Sequence, residues 1–578
     1  LWMAVRIDEF LTALCVAARS SPAVTKEILD PKQMAVLLTV IVQEPANRLT
    51  TTRFNHASGN QATTANIALS KAFIALGDFR DAPLWRRSVH DAVSAALQGR
   101  SLLPDGTARE QSFGYNLAEA EEWAKAARLL RQCAESAEPA DALLKGAVLR
   151  RRFVESLLRP ASVKSRCLLP GMDQTGCGGE EQNPRPSQCG FSDPLLHQID
   201  QHVYGDGPPP AFTSVYFCYG GYVLMRSGWT GDSCHLFLKN SRLPAGHYQL
   251  DFLSLQATAF GRTMLVDSGP CNYQSEWAND YFESTPAHNT VTVDGLDQNV
   301  HEKIEPYPGP IPACWHTSSS FDLAEGTWSG GYGGWQRYRL NPAVVSDVIH
   351  HREVVFLRAL RMWIIVDRLA SPGTHQYSQC WNFSPLYPAD QVTADADKQG
   401  IWTSDPKGPN IFLHHFGARP VQYVKYYGQR RPAIRGWYKS YYSAPAVRKV
   451  DVHAVWRGTG DQLLMTVIVP AKHAKSNVRA IRPLGKGEVY GFELSLDDGA
   501  TAVSLAAIQP RLLAVNNIQA VARLLIVTED SAGHVRGILR DCRALRIAGR
   551  EQNADARHFE FELTEGGLHR VPITVPTG

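Results

Sequence analysis

The hydrophobic period changes once along this chain, and that change limits what it can fold into. Up to about Pro160 the apolar residues recur at helical spacing, in the stretches 26–42, 63–76, 83–97, 117–133 and 140–158. Asp78, Asp81, Pro104, Asp105 and Gly106 mark breaks between them. From Thr213 onward the apolar runs are short or alternating: SVYFCYGGYVLMRSG, CHLFLK, EVVFLRALRMWIIVDRL, QLLMTVIVP, VYGFELSL and ARLLIVT. Helices first and strands afterwards do not build the crossovers of a parallel sheet. The pattern predicts an α+β multidomain chain, with a helical domain followed by an antiparallel β-sheet domain. Between them, the stretch 161–210 is rich in Gly, Pro, Asn, Asp and Gln and reads as a long linker. The expected division is 1–205 for the helical domain, with a loop-rich linker from about 161, and 206–578 for the β domain. The last hundred or so residues are a candidate β subdomain. Helices of similar length with short connections predict antiparallel hairpins, which stack equally well as a bundle, a solenoid or a toroid.

Composition excludes some classes of function. At 578 residues the chain exceeds one ordinary core. Its net charge of +3 gives no global field directed at nucleic acid, although local basic patches could meet an acidic substrate. The 11 cysteines are odd in number and contain no C-x-x-C pair, which argues against a zinc ribbon or a full disulfide framework. Cys167, Cys177 and Cys189 share one loop-like stretch where a bridge could form in an oxidising compartment. The apolar run 34–42 is too short to span a bilayer, and Arg6, Asp8 and Glu9 spoil a signal-peptide core. No Walker loop, dinucleotide fingerprint, G-x-S-x-G elbow or H-E-x-x-H motif occurs in a suitable context.

Polar groups concentrate in the stretch 244–291, PAGHYQLDFLSLQATAFGRTMLVDSGPCNYQSEWANDYFESTPAHNTV. His247 and His288 stand near its ends, Asp251 and Asp267 between them, and Tyr281 shortly before His288. LSLQATAF and TMLVD read as strands, so these groups sit at strand ends or in joining loops, where a rigid sheet can aim them. Any one of them alone is better explained as a satisfied polar residue of a sheet. Their clustering favours a site. Asn55–His56 and Tyr115, in EQSFGYN, each precede or open a predicted helix, and singly they read as a cap and an ordinary aromatic.

Taken in order, these motifs resemble the heparinase II/III superfamily of polysaccharide lyases. The residues that carry the resemblance are Asn55–His56, the F-G-Y ending at Tyr115, G-H-Y-Q-L-D from Gly246, L-V-D-S-G from Leu265, and S-T-P-A-H-N-T-V-T-V-D-G from Ser284. GGYVLMRSGW, HREVVFLRALRMWIIVDRL and RGWYKSYYSAPAV are similar too, so the resemblance runs from about Asn55 to Val447. It implies an incomplete α/α toroid followed by a sandwich-like antiparallel β domain, with the cleft between them. The implied activity is β-elimination on a uronate polysaccharide such as a glycosaminoglycan or alginate, in a periplasmic or secreted protein.

The resemblance also implies roles for single residues. Asn55 and His56 hydrogen-bond the uronate carboxylate, Tyr115 and His247 move the protons, and Tyr281 contacts substrate or shares the acid–base work. Many members have G-H-x-H, whose second histidine binds a metal with the Asp of L-V-D-x-G and the His of A-H-N. Here Gln249 replaces that histidine, while Asp267 and His288 remain. The implied cofactor is one structural divalent ion (Zn, Mn or Ca) held by Gln249, Asp267 and His288. A metal-free hydrogen-bond cluster around Gln249 is the alternative. Two further readings compete: a glycoside hydrolase using Glu110 and Asp251 as its carboxylate pair, and a carbohydrate-binding protein without activity.

Overall fold

The computed structural model describes residues 4–7, 9–13, 31–51, 60–108, 113–132, 137–157, 191–241, 249–269, 281–299, 309–311, 314–333, 344–440, 445–553, 556–564 and 567–571. Helices occupy Pro31–Leu37, Glu44–Thr51, Asn60–Ala75, Ala82–Ala95, Phe113–Leu130 and Ala137–Ser156, with wider π turns at Leu38–Gln43 and Ala96–Arg100. The end expected at residue 42 is not an end. The helix runs on to Thr51, because Pro45 falls in the first turn of Glu44–Thr51, where its missing N–H costs little. Asn60–Ala75 packs on both Ala82–Ala95 and Phe113–Leu130, and the last packs on Ala137–Ser156. Ala65, Ala68, Ala72, Ala124 and Ala127 are buried between Leu69, Trp85, Val89 and Trp123, and these small side chains let the helices approach closely.

The linker expected over 161–210 needs correction in its described part. Pro194–Tyr204 is a helix. Asp193 caps it by accepting a 3.0 Å hydrogen bond from Leu196 N, and Pro194 presets the first turn. Its Ile199 packs with Trp229 of the β region.

The β region is antiparallel throughout its described pairings. A five-stranded meander joins Val215–Phe217, Tyr222–Arg226, His235–Lys239, Ser254–Ala259 and Arg262–Leu265 in sequence order. An eight-stranded sheet has Asn410–Gly417, Gln462–Ala471, Met362–Ala370, Ile349–Leu357 and Phe321–Trp328 as its central neighbours. A four-stranded sheet pairs Gln422–Tyr427, Val450–Thr459, Thr374–Asn382 and Val291–Val293. A nine-stranded sheet starts at Val478–Lys486 and uses the chain as far as Arg570.

Both faces of the eight-stranded sheet are covered. Val354, Phe356, Trp363 and Ile365 pack toward the meander and the four-stranded sheet. Val355, Leu357, Ile364 and Val366, one residue out of phase, pack toward Phe492, Leu494, Ile526 and Ile538 of the nine-stranded sheet. Double burial is why EVVFL and MWIIV read as continuous apolar runs. A buried ionic seam joins the same two sheets. Glu353 meets Arg368, Arg523 and Arg540, and His316 meets Glu560.

Helices and meander share one core. Phe113 and Phe153 of the helical region pack edge-on or stacked with Phe217, Tyr222 and Phe237 at 4.9–5.9 Å between ring centres. Asp105 accepts a 2.7 Å hydrogen bond from Tyr219 N across the same boundary. No helix among the described residues is long and apolar enough to cross a membrane.

Candidate functional site

The described parts of the polar stretch, 249–269 and 281–291, supply the last two meander strands and the loops beside them. Lys239 ends the strand His235–Lys239, and its ammonium reaches both oxygens of Asp251 at 2.5 and 2.7 Å. Both side chains are 2% exposed, so this pair is desolvated and bidentate. The chain turns tightly between them. Leu253 adopts φ +60 and its N–H returns to Lys239 O at 2.7 Å.

Asp267 follows the strand Arg262–Leu265. One of its oxygens accepts from Gly269 N at 2.8 Å, and the other lies 3.0 Å from His288 Nδ1. Gly269 has φ +117, and a Cβ there would lie 2.1 Å from Lys439 O, so only glycine lets the two loops touch. His288 is fully buried, and its Nε2 has no hydrogen-bond partner among the described residues. Asp251, Asp267 and His288 each bring one ligand-type atom within 4.8 Å of the other two.

Gln249 adjoins this cluster. Its amide donates to Gly269 O at 3.4 Å, so it ties its own loop to the loop of Asp267. The carboxylate that joins Asp267 and His288 is Asp251. Two carboxylates and an imidazole are a suitable donor set for a divalent ion. If His288 Nδ1–H is held by Asp267, Nε2 is the nitrogen left for a ligand.

Tyr281 requires a correction. It is fully buried, and its hydroxyl donates to Asp451 Oδ2 at 2.8 Å with Ser268 Oγ 3.1 Å away. Burial, followed by the adjacent Asp451 charge, pushes its phenol well above the ordinary range. The hydroxyl is committed to the protein and is not open to a substrate in this structure. Behind it Lys449 pairs with Asp451 and donates to Asn382 Oδ1 at 2.6 Å. Gly436 N donates to Asp451 at 2.6 Å.

Asn289 lies beside His288 as a staple. Its amide donates to Leu255 O at 2.7 Å and Val266 O at 2.8 Å, and its oxygen accepts from Asn382 N at 2.6 Å. Arg352, paired bidentately with Asp367, donates to Leu253 O and Asn289 O at 2.6 and 2.7 Å. These groups fix the backbone beside Asp251 and beside His288.

Asn55, His56, Glu110 and His247 lie outside the described residues. Tyr115 sits in the first turn of Phe113–Leu130, two residues after the buried Phe113. Among the described residues, then, Asp267, His288 and Asp251 come together, Gln249 adjoins them, and Tyr281 lies behind them.

Lys239, Asn289, Lys449 and Asp451 were not expected from sequence. Lys239 offered one signal, a lysine closing the apolar strand CHLFLK, and Lys449 and Asp451 another, alternate charges in RKVDV.

Residues 209–454 match the profile of the heparinase II/III-like C-terminal family. The match takes in Lys239, Asp251, Asp267, His288, Lys449 and Asp451 alike. A heparin-sulfate lyase of Bacteroides thetaiotaomicron is 21% identical over 416 residues, which is 66% of this chain and 54% of that protein; the match thus spans about half the relative's length. A crystal structure of heparinase III superposes with a TM-score of 0.67 at 17% identity, covering 88% of this chain and 75% of that one. A heparan sulfate lyase from Pedobacter heparinus gives 0.62 at 17%, covering 81% and 69%. The likeness to these structures covers the α+β fold, helices followed by layered antiparallel sheets.

Proposed function

We propose that this protein is a polysaccharide lyase that cleaves a uronate-containing glycosaminoglycan by β-elimination. The observation that carries this reading is the buried Asp251–Asp267–His288 cluster, with its unpartnered imidazole nitrogen, inside a heparinase-like domain. Alginate is the second polymer to test.

The chemistry follows from the substrate. The C5 proton of a uronate is weakly acidic until the neighbouring carboxylate is neutralised. Asn55 and His56 hydrogen-bond that carboxylate and stabilise the charge that develops on it. Tyr115 or His247 removes the C5 proton, and the C–H electron pair becomes the C4=C5 double bond. The C4–O4 bond breaks, and the departing oxygen takes a proton from the other of these two groups. Tyr281 supports the loop rather than the proton transfer.

Asp251, Asp267 and His288 would hold one divalent cation, with Gln249 buttressing their loops. Bound there, the ion supplies charge neutralisation and cross-linking rather than a step of the reaction. The donor set fits this, since two buried carboxylates and one open imidazole nitrogen lie together there. Export to the periplasm or beyond the cell goes with a polymeric substrate.

The hydrolase reading is less well supported, because Asp251 gives both oxygens to Lys239 and is not a free acid. A panel of heparan sulfate, chondroitin sulfate, hyaluronan, alginate and glucuronan, followed by ultraviolet absorbance of the 4,5-unsaturated product, tests the proposal. Absorbance should rise on at least one polymer, and Tyr115→Phe should lower turnover at least ~100-fold. New reducing ends without absorbance would make the protein a hydrolase, and binding without turnover a carbohydrate-binding protein.

A further inference from the structure

Residues 472–486 read KHAKSNVRAIRPLGK. They carry Lys472, Lys475, Arg479, Arg482 and Lys486 and no Asp or Glu. The whole chain has a net charge of only +3, so with five positive charges in this ribbon the remaining residues are net negative. Positive charge is therefore concentrated here, beyond the end of the family match at residue 454.

The structure presents this ribbon outward. Val478–Lys486 is the terminal strand of the nine-stranded sheet and pairs on one side only, with Val489–Leu496. Val478 and Ile481 pack toward the core shared with the eight-stranded sheet, and Leu484 toward the outer core. Arg479, Arg482 and Lys486, between or beyond these anchors, are exposed. At about 3.3 Å per residue, Arg479 to Lys486 spans about 23 Å.

Pro483 lacks the N–H that a further strand would need, so this edge is closed to strand addition by another chain. Two of the five cations have exposed partners: Lys472 with Asp232 at 2.5 Å, and Arg482 with Glu493. Such pairs are weak and exchange readily with a polyanion. Among the described residues, Lys475, Arg479 and Lys486 have no carboxylate partner.

We infer that the ribbon 472–486 is a docking surface for a sulfated, linear acidic polysaccharide, separate from the residues that would cleave it. This rests on the proposed function for its choice of polyanion. A row of like charges on an unpaired edge suits a flexible chain of evenly spaced anions. It would hold a long polymer near the enzyme between cleavages and give little to a short oligosaccharide.

The test uses the full chain and the triple variant Lys475→Gln/Arg479→Gln/Lys486→Gln, checked for an unchanged melting temperature. The probes are long heparan sulfate chains and a heparan sulfate tetrasaccharide, with binding and turnover measured at low and high salt. The variant should bind long chains about tenfold more weakly at low salt, with a flatter salt dependence. Turnover of the tetrasaccharide should not change. Long-chain affinity within about twofold of the parent would overturn the inference. So would a variant that binds normally but aggregates, since the charges would then only guard a sheet edge. If neither protein cleaves any uronate polymer but the variant still loses long-chain binding, the lyase reading fails and the docking surface stands.

Discussion

Two buried clusters of charge flank the segment 267–288, and they are finished to different degrees. Around Tyr281, the ammonium of Lys449 faces the carboxylate of Asp451, and that carboxylate also accepts from Tyr281 Oη and Gly436 N. Around His288, Asp251 holds the ammonium of Lys239, Asp267 lies against the imidazole and within reach of the Lys449 charge, and one imidazole nitrogen has no partner among the described residues. Burying a charge is tolerable only where it is paired and hydrogen-bonded. The first cluster meets that condition by itself and acts as scaffold. The second leaves a nitrogen donor open beside its two carboxylates, where a metal ion or a proton would add countercharge. Complete polar networks hold a fold together, and an incomplete one beside them is where a ligand is best sought.

Breaking the complete cluster should have the largest effect. Lys449→Met leaves Asp451 buried without its cation, and the expected loss is about 3–5 kcal/mol in denaturant unfolding. A loss below about 1 kcal/mol would mean that water already reaches this pair and that the two clusters do not differ in kind.

The incomplete cluster should respond to ligand instead. Elemental analysis of protein purified without added metal should find a divalent ion. Chelation should then lower the melting temperature, by the equivalent of about 3 kcal/mol where metal stands at a hundred times its Kd. Asp267→Asn should abolish this response while remaining folded. A chelator-insensitive parent protein with no bound metal would assign the countercharge to His288.

A third buried pair, in the helical region, sharpens the comparison through pH. Glu155 is paired with Arg151 at 2.7 Å. Burial pushes its carboxyl up from 4.5 to about 7, although Arg151 pulls it down. An acid raised in the folded state contributes stability below its unfolded pKa and loses that contribution as pH rises through the folded value. Stability of the parent should therefore fall between about pH 4.5 and 7 relative to Glu155→Gln, as read by chemical unfolding across that window. Parallel pH profiles for the two proteins would show that Arg151 fully compensates this charge.

Tyr281→Phe should have the smallest effect. It removes one donor from Asp451, which keeps Lys449 and Gly436, so about 1 kcal/mol is expected. Turnover should stay within about threefold of the parent. A folded variant with turnover reduced ~100-fold would return Tyr281 to the chemistry.

Much of this arrangement was legible in the sequence wherever the determinant was local. The helices over 63–76, 83–97, 117–133 and 140–158 follow from periodicity, and the structure moves their ends by only a few residues. Pro194–Tyr204 was lost in a Gly/Pro-rich stretch, although Asp193, Pro194 and the spacing of Leu196 and Ile199 signal it. Ser254–Ala259 alternates like a strand with one wet face, yet all six residues are buried, because layers cover it on both sides. Asp267 and His288 were identified by their motifs and do meet. Asp251 stands out in the sequence, but its partner Lys239 reads there as a surface lysine. Tyr281 was misplaced because its partner Asp451 lies 170 residues away, a pairing that no local pattern encodes.

The aromatic packing of Phe113 and Phe153 on Phe217, Tyr222 and Phe237 bears on how such proteins can be recombined. Phe113 opens the helix that also carries Tyr115, so the first turn of that helix is seated on the β region rather than within its own domain. The natural cutting point for a chimera is therefore not the compositional boundary near residue 205. A helical half taken from a relative would bring the first turn of that helix without the aromatic surface on which Phe113 sits. The hairpin Val215–Phe217 and Tyr222–Arg226 has to travel with the helices, and in modular terms it is the last part of the N-terminal half.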